Sequence, residues 1–178
     1  MCRLEPLRAE HAEAVLAFER DNRAYFARSI SDRGDAYFAD FPARHSAALA
    51  EQEAGDCAFF LLMNDSGEVL GRFNLYDCAD GGATVGYRLA ERVAGRGVAT
   101  AAVRELCVIA SSRFAVQTLT AAASDDNVAS QKVLTKTGFV AVGAADPSEL
   151  GGERGTRYRC DLGVARAEAD GPAPVLPE

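Results

Sequence analysis

The sequence of 178 residues contains no tryptophan and two histidines, His11 and His45. So few imidazoles argue against a histidine-held metal centre and against a Ser–His nucleophile. The cysteines Cys2, Cys57, Cys78, Cys107 and Cys160 stand without paired spacing. That argues against a disulfide framework and against a zinc site, so no metal is expected. No apolar run reaches the roughly 18 residues of a membrane span. Arg3, Glu5, Arg8 and Glu10 stand where a signal peptide would have its apolar segment, so none is expected. Positive charge is also short: 19 Lys and Arg against 26 Asp and Glu give a net charge of −7. That balance argues against nucleic acid as a partner and favours a cationic one. A cytoplasmic protein with no membrane partner is the expectation.

What is present fits one domain with a sizeable core: 48% hydrophobic and 25% charged residues. Cys2 to Leu7 reads as a short strand. His11 to Asp21 and Asp40 to Glu53 carry apolar residues at helical spacing, and Ser31 to Asp35 reads as a loop. The run CAFFLLM from Cys57 to Met63 has strand length. Asn64-Asp65-Ser66-Gly67 then turns the chain into a second strand, Glu68 to Tyr76, making an antiparallel hairpin. Ala83 to Leu89, Gln117 to Ala123, Phe139 to Gly143 and Arg157 to Leu162 are further strands. Gly163 to Glu178 holds Gly171-Pro172-Ala173-Pro174 and Pro177 with no apolar period, and reads as a disordered tail after a domain spanning 1–162.

The most informative stretch is Ala83 to Phe114. A strand with Gly86 in its middle leads into Arg92-Val93-Ala94-Gly95-Arg96-Gly97-Val98-Ala99. Then Ala99, Ala102, Val103, Leu106 and Ala110 mark one apolar helix face. Gly95 and Gly97 can take positive φ, which lets successive N–H groups converge. With the positive end of the following helix they make a site for a phosphate or pyrophosphate. An ordinary strand-to-helix turn is the plainer reading. A Rossmann site is disfavoured, because five residues separate Leu89 from Gly95 and little chain follows the next strand.

A second stretch decides between these. After the Gln117 strand comes Asn127-Val128-Ala129-Ser130, then Val133-Leu134-x-Lys136-x-Gly138-Phe139. Together with Val85-Gly86-Tyr87-Arg88-Leu89 and Arg92-x-x-Gly95-x-Gly97, this resembles the RimJ/RimL-type branch of the GNAT N-acetyltransferases. The resemblance runs from about Cys2 to Leu162 and is most specific between Val85 and Phe139. It implies an α/β GNAT fold, with a mixed, mostly antiparallel sheet and helices on both faces. It also implies transfer of an acetyl group from acetyl-coenzyme A to a primary amine of a protein N-terminus or small molecule. A non-catalytic acyl-coenzyme A sensor and an O-acetyltransferase are the alternatives. A homodimer is open.

The resemblance also implies a site. Tyr87, Arg88 and Leu89 would pair with the pantetheine arm. Ala94, Gly95, Arg96, Gly97, Val98 and Ala99 would hold the pyrophosphate through their N–H groups. Tyr25 and Phe26, with Asn74, Tyr76 and Asp77, would border the acceptor. Ser130 falls on the apolar face of its helix, where a hydroxyl either bonds a carbonyl of the preceding turn or serves a site. The family places the matching serine near the coenzyme sulfur, as a donor to the departing thiolate. Asn127 either caps that helix or contacts the coenzyme; Asp126 is a rival cap. Gly138 is expected to end the helix in a left-handed turn. Arg88 and Arg104 read as solvated surface arginines. Many relatives carry Glu two residues before the Gly-Tyr pair, where this chain has Thr84. Asp77, Asp80 and Tyr158 remain as candidate bases, and none is assigned.

Overall fold

The computed structural model describes residues 2–163, and the expected tail beyond Gly163 lies outside them. Seven strands form one sheet in the order β1-β2-β3-β4-β5-β7-β6. They are β1 (Cys2–Pro6), β2 (Ala58–Asn64), β3 (Val69–Ala79), β4 (Gly82–Leu89), β5 (Thr118–Ser124), β6 (Val140–Ala144) and β7 (Gly155–Asp161). Only the β4–β5 pair is parallel; every other pair is antiparallel.

The helices divide between the two faces. On one lie α1 (Ala12–Asp21), α2 (Arg23–Phe26), α3 (Asp35–Ala39) and α4 (Phe41–Ala54). On the other lie α5 (Val98–Arg113) and α6 (Val128–Lys136). β2 explains why its run has no polar alternation, since both of its faces are covered. Phe59, Leu61 and Met63 pack with Val15, Phe18 and Phe41, whereas Phe60 and Leu62 pack with Val103 and Leu106. The arrangement is the mixed sheet with helices on both faces that the sequence suggested.

Three elements depart from the sequence reading. The stretch from Asp35 to Ala39 turns once as α3, and Arg23 to Phe26 turns once as α2. β3 runs three residues past Tyr76, with its register against β4 shifting between Tyr76 and Ala79. Asp77 takes a left-handed φ of 52° inside that shift. Gly86 is not a bulge. The β3–β4 register is unbroken from Gly71↔Leu89 to Tyr76↔Thr84. A Cβ on Gly86 would come within 2.9 Å of the Tyr76 ring, so the glycine admits that ring.

Candidate active site

The parallel pairing of β4 and β5 covers Gly82↔Thr118, Ala83↔Leu119 and Thr84↔Thr120 and then stops. β4 continues to Leu89 without β5, while β5 continues to Ser124 against β7. The two strands diverge into a fork. Ala90 donates to the Leu70 carbonyl at 2.8 Å, and Arg88↔Arg72 and Gly86↔Asn74 follow two residues apart on that side. Main-chain groups alternate along a strand, so Tyr87 and Leu89 turn theirs into the fork. Arg88 instead spends its main chain on β3.

The loop after β4 is built as its glycines suggested. Gly95 has φ 74° and Gly97 φ 79°, and Gly97 is the residue before the first turn of α5. Among the described residues, no acceptor takes the N–H groups of Gly95, Arg96 or Gly97. Ala94 differs from expectation: its N–H donates to the Glu91 carbonyl at 3.0 Å, so it is not free for a phosphate. Arg92 pairs at 3.2 Å with Glu68 of the β2–β3 turn. Asn22 Oδ1 accepts from Glu91 N at 3.0 Å, which ties the loop to the end of α1.

From the opposite side, α6 faces the fork. Asn127 Oδ1 accepts from Ser130 N at 3.0 Å, so Asn127 and not Asp126 caps the helix. Gly138, with φ 91°, ends it: Phe139 N donates to the Leu134 carbonyl and Gly138 N to the Thr135 carbonyl. This is the Schellman closure. The Ser130 hydroxyl does not bond back to a carbonyl of its own helix. It lies 2.9 Å from the hydroxyl of Tyr87. The Tyr87 ring stacks on Phe73 at 5.6 Å between centroids. Burial pushes the Tyr87 phenol up to about 12, against the opposite pull of the Ser130 hydrogen bond. Tyr87 therefore stays protonated over the neutral range.

Two cavities meet at this hydroxyl pair. One, of about 180 Å³, is bordered by Tyr25, Phe26, Leu89, Gly95, Ala99 and Val133. The other, of about 250 Å³, is bordered by Gly86, Ala121, Ala123, Ser124, Glu149 and Gly151. Both are also lined by Tyr87, Asn127 and Ser130, under a roof of Ser29 and Ile30. The first joins the free β4 edge to the glycine loop; the second is bordered by the Ser29–Ser31 segment and by the Glu149–Glu153 turn, whose Gly151 lies against Ser31.

Most other candidates lie elsewhere, although Arg88 also borders the first cavity. Arg96, Gly97 and Val98 form the outer curve of the loop and do not line either cavity. Asn74 and Tyr76 are bonded to each other at 2.7 Å on the other face of β3, and Asp77 and Asp80 are exposed, each with a left-handed φ. Tyr158 is buried in the core. Thr84 sits at the last paired rung, its Oγ1 3.1 Å from that of Thr120. Arg104 is exposed, as expected. Arg88 is not. Its side chain bonds Glu19 Oε2 at 2.9 Å and lies over the Phe26 ring at 4.9 Å. Sequence reasoning missed Ser29, Ile30 and the Glu149–Glu153 turn. The last had a local signal: Asp146-Pro147-Ser148 caps a short turn that Gly151 closes.

This geometry is a parallel fork, a glycine-rich loop leading into a helix N-terminus, and a capped helix facing both. It defines an acyl-coenzyme A transferase fold. Residues 2–140 match the family model described as acetyltransferase (GNAT) domain, and the chain belongs to that family. None of the curated proteins matches the chain. Among solved structures it is similar to a ribosomal-protein-S5-alanine acetyltransferase from Vibrio fischeri, with a TM-score of 0.82 and 19% identity over 90% of this chain and 93% of that one. RimJ of Mycobacterium smegmatis, in complex with a coenzyme A disulfide, gives 0.81 and 21% identity over 97% and 85%. The microcin C7 self-immunity acetyltransferase MccE, in complex with acetyl-CoA and AMP, gives 0.77 and 17% over 90% and 92%.

Proposed function

We propose that the protein transfers an acetyl group from acetyl-coenzyme A to a primary amine by direct attack at the fork, as a member of the RimJ/RimL-type branch. The observation that carries this is the Ser130–Tyr87 hydroxyl pair at the junction of the two cavities. The residues present suit the coenzyme. The free N–H groups of Gly95 to Gly97 and the N-terminus of α5 suit a pyrophosphate. The unpaired edge at Tyr87 and Leu89 suits the amides of a pantetheine arm. Bound there, acetyl-coenzyme A would supply an already activated thioester.

The remaining work falls to this chain's own groups. The two cavity walls hold the acceptor in line with the fork, and positioning carries much of the rate. A main-chain N–H on the β4 edge is available to a developing oxyanion. Ser130 donates a hydrogen bond to the departing thiolate, with Tyr87 holding its hydroxyl in place. The acceptor must lose a proton to attack. Among the described residues no carboxylate borders the first cavity; Glu149 and Glu153 stand at the mouth of the second.

A screen of peptides and small amines with a free-thiol readout tests the proposal. Turnover on a primary amine is the expected outcome. Thr84 at the position of the family's glutamate favours a second reading, a coenzyme-binding sensor. Coenzyme binding without turnover on any amine would establish it.

A further inference from the structure

On the α1–α4 face of the sheet, one buried carboxylate meets three guanidinium groups. Glu19 is 1% exposed. Its Oε1 accepts from Arg72 Nη1 at 2.6 Å, and its Oε2 from Arg88 Nη1 at 2.9 Å. Arg33 Nε lies 3.3 Å from Oε2. Burial pushes the Glu19 carboxyl up, but Arg88, Arg72 and Arg33 together outweigh that and hold it below the usual range. One ionised carboxylate cannot neutralise three guanidinium groups, and buried uncompensated charge is costly.

The excess opens onto a third cavity, of about 250 Å³, between α3, α4 and β3. Arg33, Arg44 and Arg72 line it, with Tyr37 and Tyr76. Arg33 and Arg44 both lie over the Tyr37 ring, at 4.4 and 5.4 Å. Its polar lining consists largely of donors. The Arg72 nitrogens that Glu19 leaves unbonded are not sealed away, because the single buried side-chain N or O atom without a partner among the described residues is Asn74 Oδ1. Tyr37 Oη already accepts from Arg72 at 3.4 Å, so its own hydrogen is free. Asn74 Nδ2 donates to Tyr76 Oη at 2.7 Å. In either orientation of that amide, the pair keeps a hydrogen uncommitted. The acids near this cavity are at its rim: Glu51 is exposed, and Asp40 stands 3.8 Å from Arg44 with a side chain 63% exposed.

We propose that this cavity is an oxyanion-binding site, separate from the acetyl-transfer fork, that takes the phosphate or carboxylate of a small molecule. The oxyanion sits against Arg33 and Arg72, where planar guanidinium forks offer paired donors. The body of the ligand lies against Tyr37 and Tyr76. The site stands whether or not the fork transfers acetyl groups.

The test is calorimetric titration of the full chain with inorganic phosphate and, separately, succinate, each with and without saturating coenzyme A. Coenzyme A occupies the glycine loop, the other place where phosphate could bind. Binding of at least one anion is expected to persist with coenzyme A present. It should weaken roughly ten-fold in Arg33→Gln, which loses a charged donor. Tyr76→Phe, which keeps the ring, should weaken it several-fold, with unchanged circular dichroism verifying the fold of each variant. Phosphate binding that persists where succinate fails assigns a phosphate site, and the reverse assigns a carboxylate site. Absence of binding by both anions overturns the proposal. So does binding that coenzyme A abolishes, or binding that both folded variants retain at full strength.

Discussion

Replacing Ser130 by Ala separates chemistry from packing. The serine hydroxyl has one partner of good geometry, Tyr87 at 2.9 Å, while the Ser130 carbonyl is a poorer 3.4 Å from the same phenol. Removing the hydroxyl costs about 1 kcal/mol of net hydrogen bonding. Alanine returns about half of that through helix propensity. The melting temperature should fall by less than about 3 °C. The chemical step should suffer more, because the donor is needed most when charge builds on sulfur. A ten- to hundred-fold fall in kcat and kcat/KM together is expected, about 1.4 to 2.8 kcal/mol of barrier. Coenzyme affinity should hold. Tyr87→Phe removes the group that positions the serine, so its loss should be smaller, roughly three- to ten-fold. The double variant should be no slower than Ser130→Ala, since the two act as one unit. The assay is single turnover at saturating acetyl-coenzyme A, beside a thermal melt. A wild-type chemical rate in Ser130→Ala removes the serine from the mechanism. Strictly additive losses refute its coupling to Tyr87.

Gly97→Val should weaken coenzyme A binding ten-fold or more by calorimetry, because φ 79° strains any β-branched residue and moves the loop N–H groups. Glu19→Gln should destabilise the fold by about 3–5 kcal/mol, read by urea titration, since it strands three guanidinium groups. The native Glu19 carboxyl titrates below its unfolded value, so its contribution is complete above the ordinary carboxylate range and drains away as pH falls through the native value. Wild-type stability should therefore drop more steeply on acidification than that of Glu19→Gln. Among the described residues no three His, Cys, Asp or Glu side chains gather as metal ligands, and acetyl transfer should survive EDTA.

The sequence was most legible where chemistry demands a backbone conformation. Gly95, Gly97 and Gly138 were readable because positive φ leaves few residue choices, and all three adopt it. Ser130 was readable in its place, since helical spacing set it on the face of buried Leu134, though spacing left its hydroxyl between packing and a site. Its partner was not: Tyr87 pairs with it across 43 positions of chain, and a tyrosine on a strand carries no local mark of a hydrogen bond. Arg88 was misread for a related reason. An arginine next to a glycine loop looks solvated, and the carboxylate that buries it stands on α1, 69 positions away. Nor did Glu19 declare itself, since a Glu-Arg pair inside a helix ordinarily marks the wet face. α3 is a single turn between Gly34 and Asp40, too short for any periodicity to register.

The same geometry bears on the absent base. A glutamate at position 84 would stand at the last rung before the fork. Thr84 instead contributes a hydroxyl bonded across that rung to Thr120, which closes the fork at its vertex and leaves no ionisable group there. Asp77 and Asp80 are turned out to solvent, and Tyr158 is sealed in the core. Tyr87 is protonated at neutral pH, so it can donate but not accept a proton by ionisation. The acids that border the second cavity are Glu149 and Glu153, and Glu149 is already bonded to Arg157 at 2.6 Å. Placed there, they would draw a cationic amine toward the cavity. On the proposed function, removal of the acceptor's proton is left to water. If the fork transfers acetyl groups as proposed, kcat/KM should rise with pH as the neutral fraction of the acceptor rises, and amines of low intrinsic basicity should react faster near neutral pH. An α-amino group, with an unperturbed pKa near 8, meets that condition far better than a lysine side chain near 10.4.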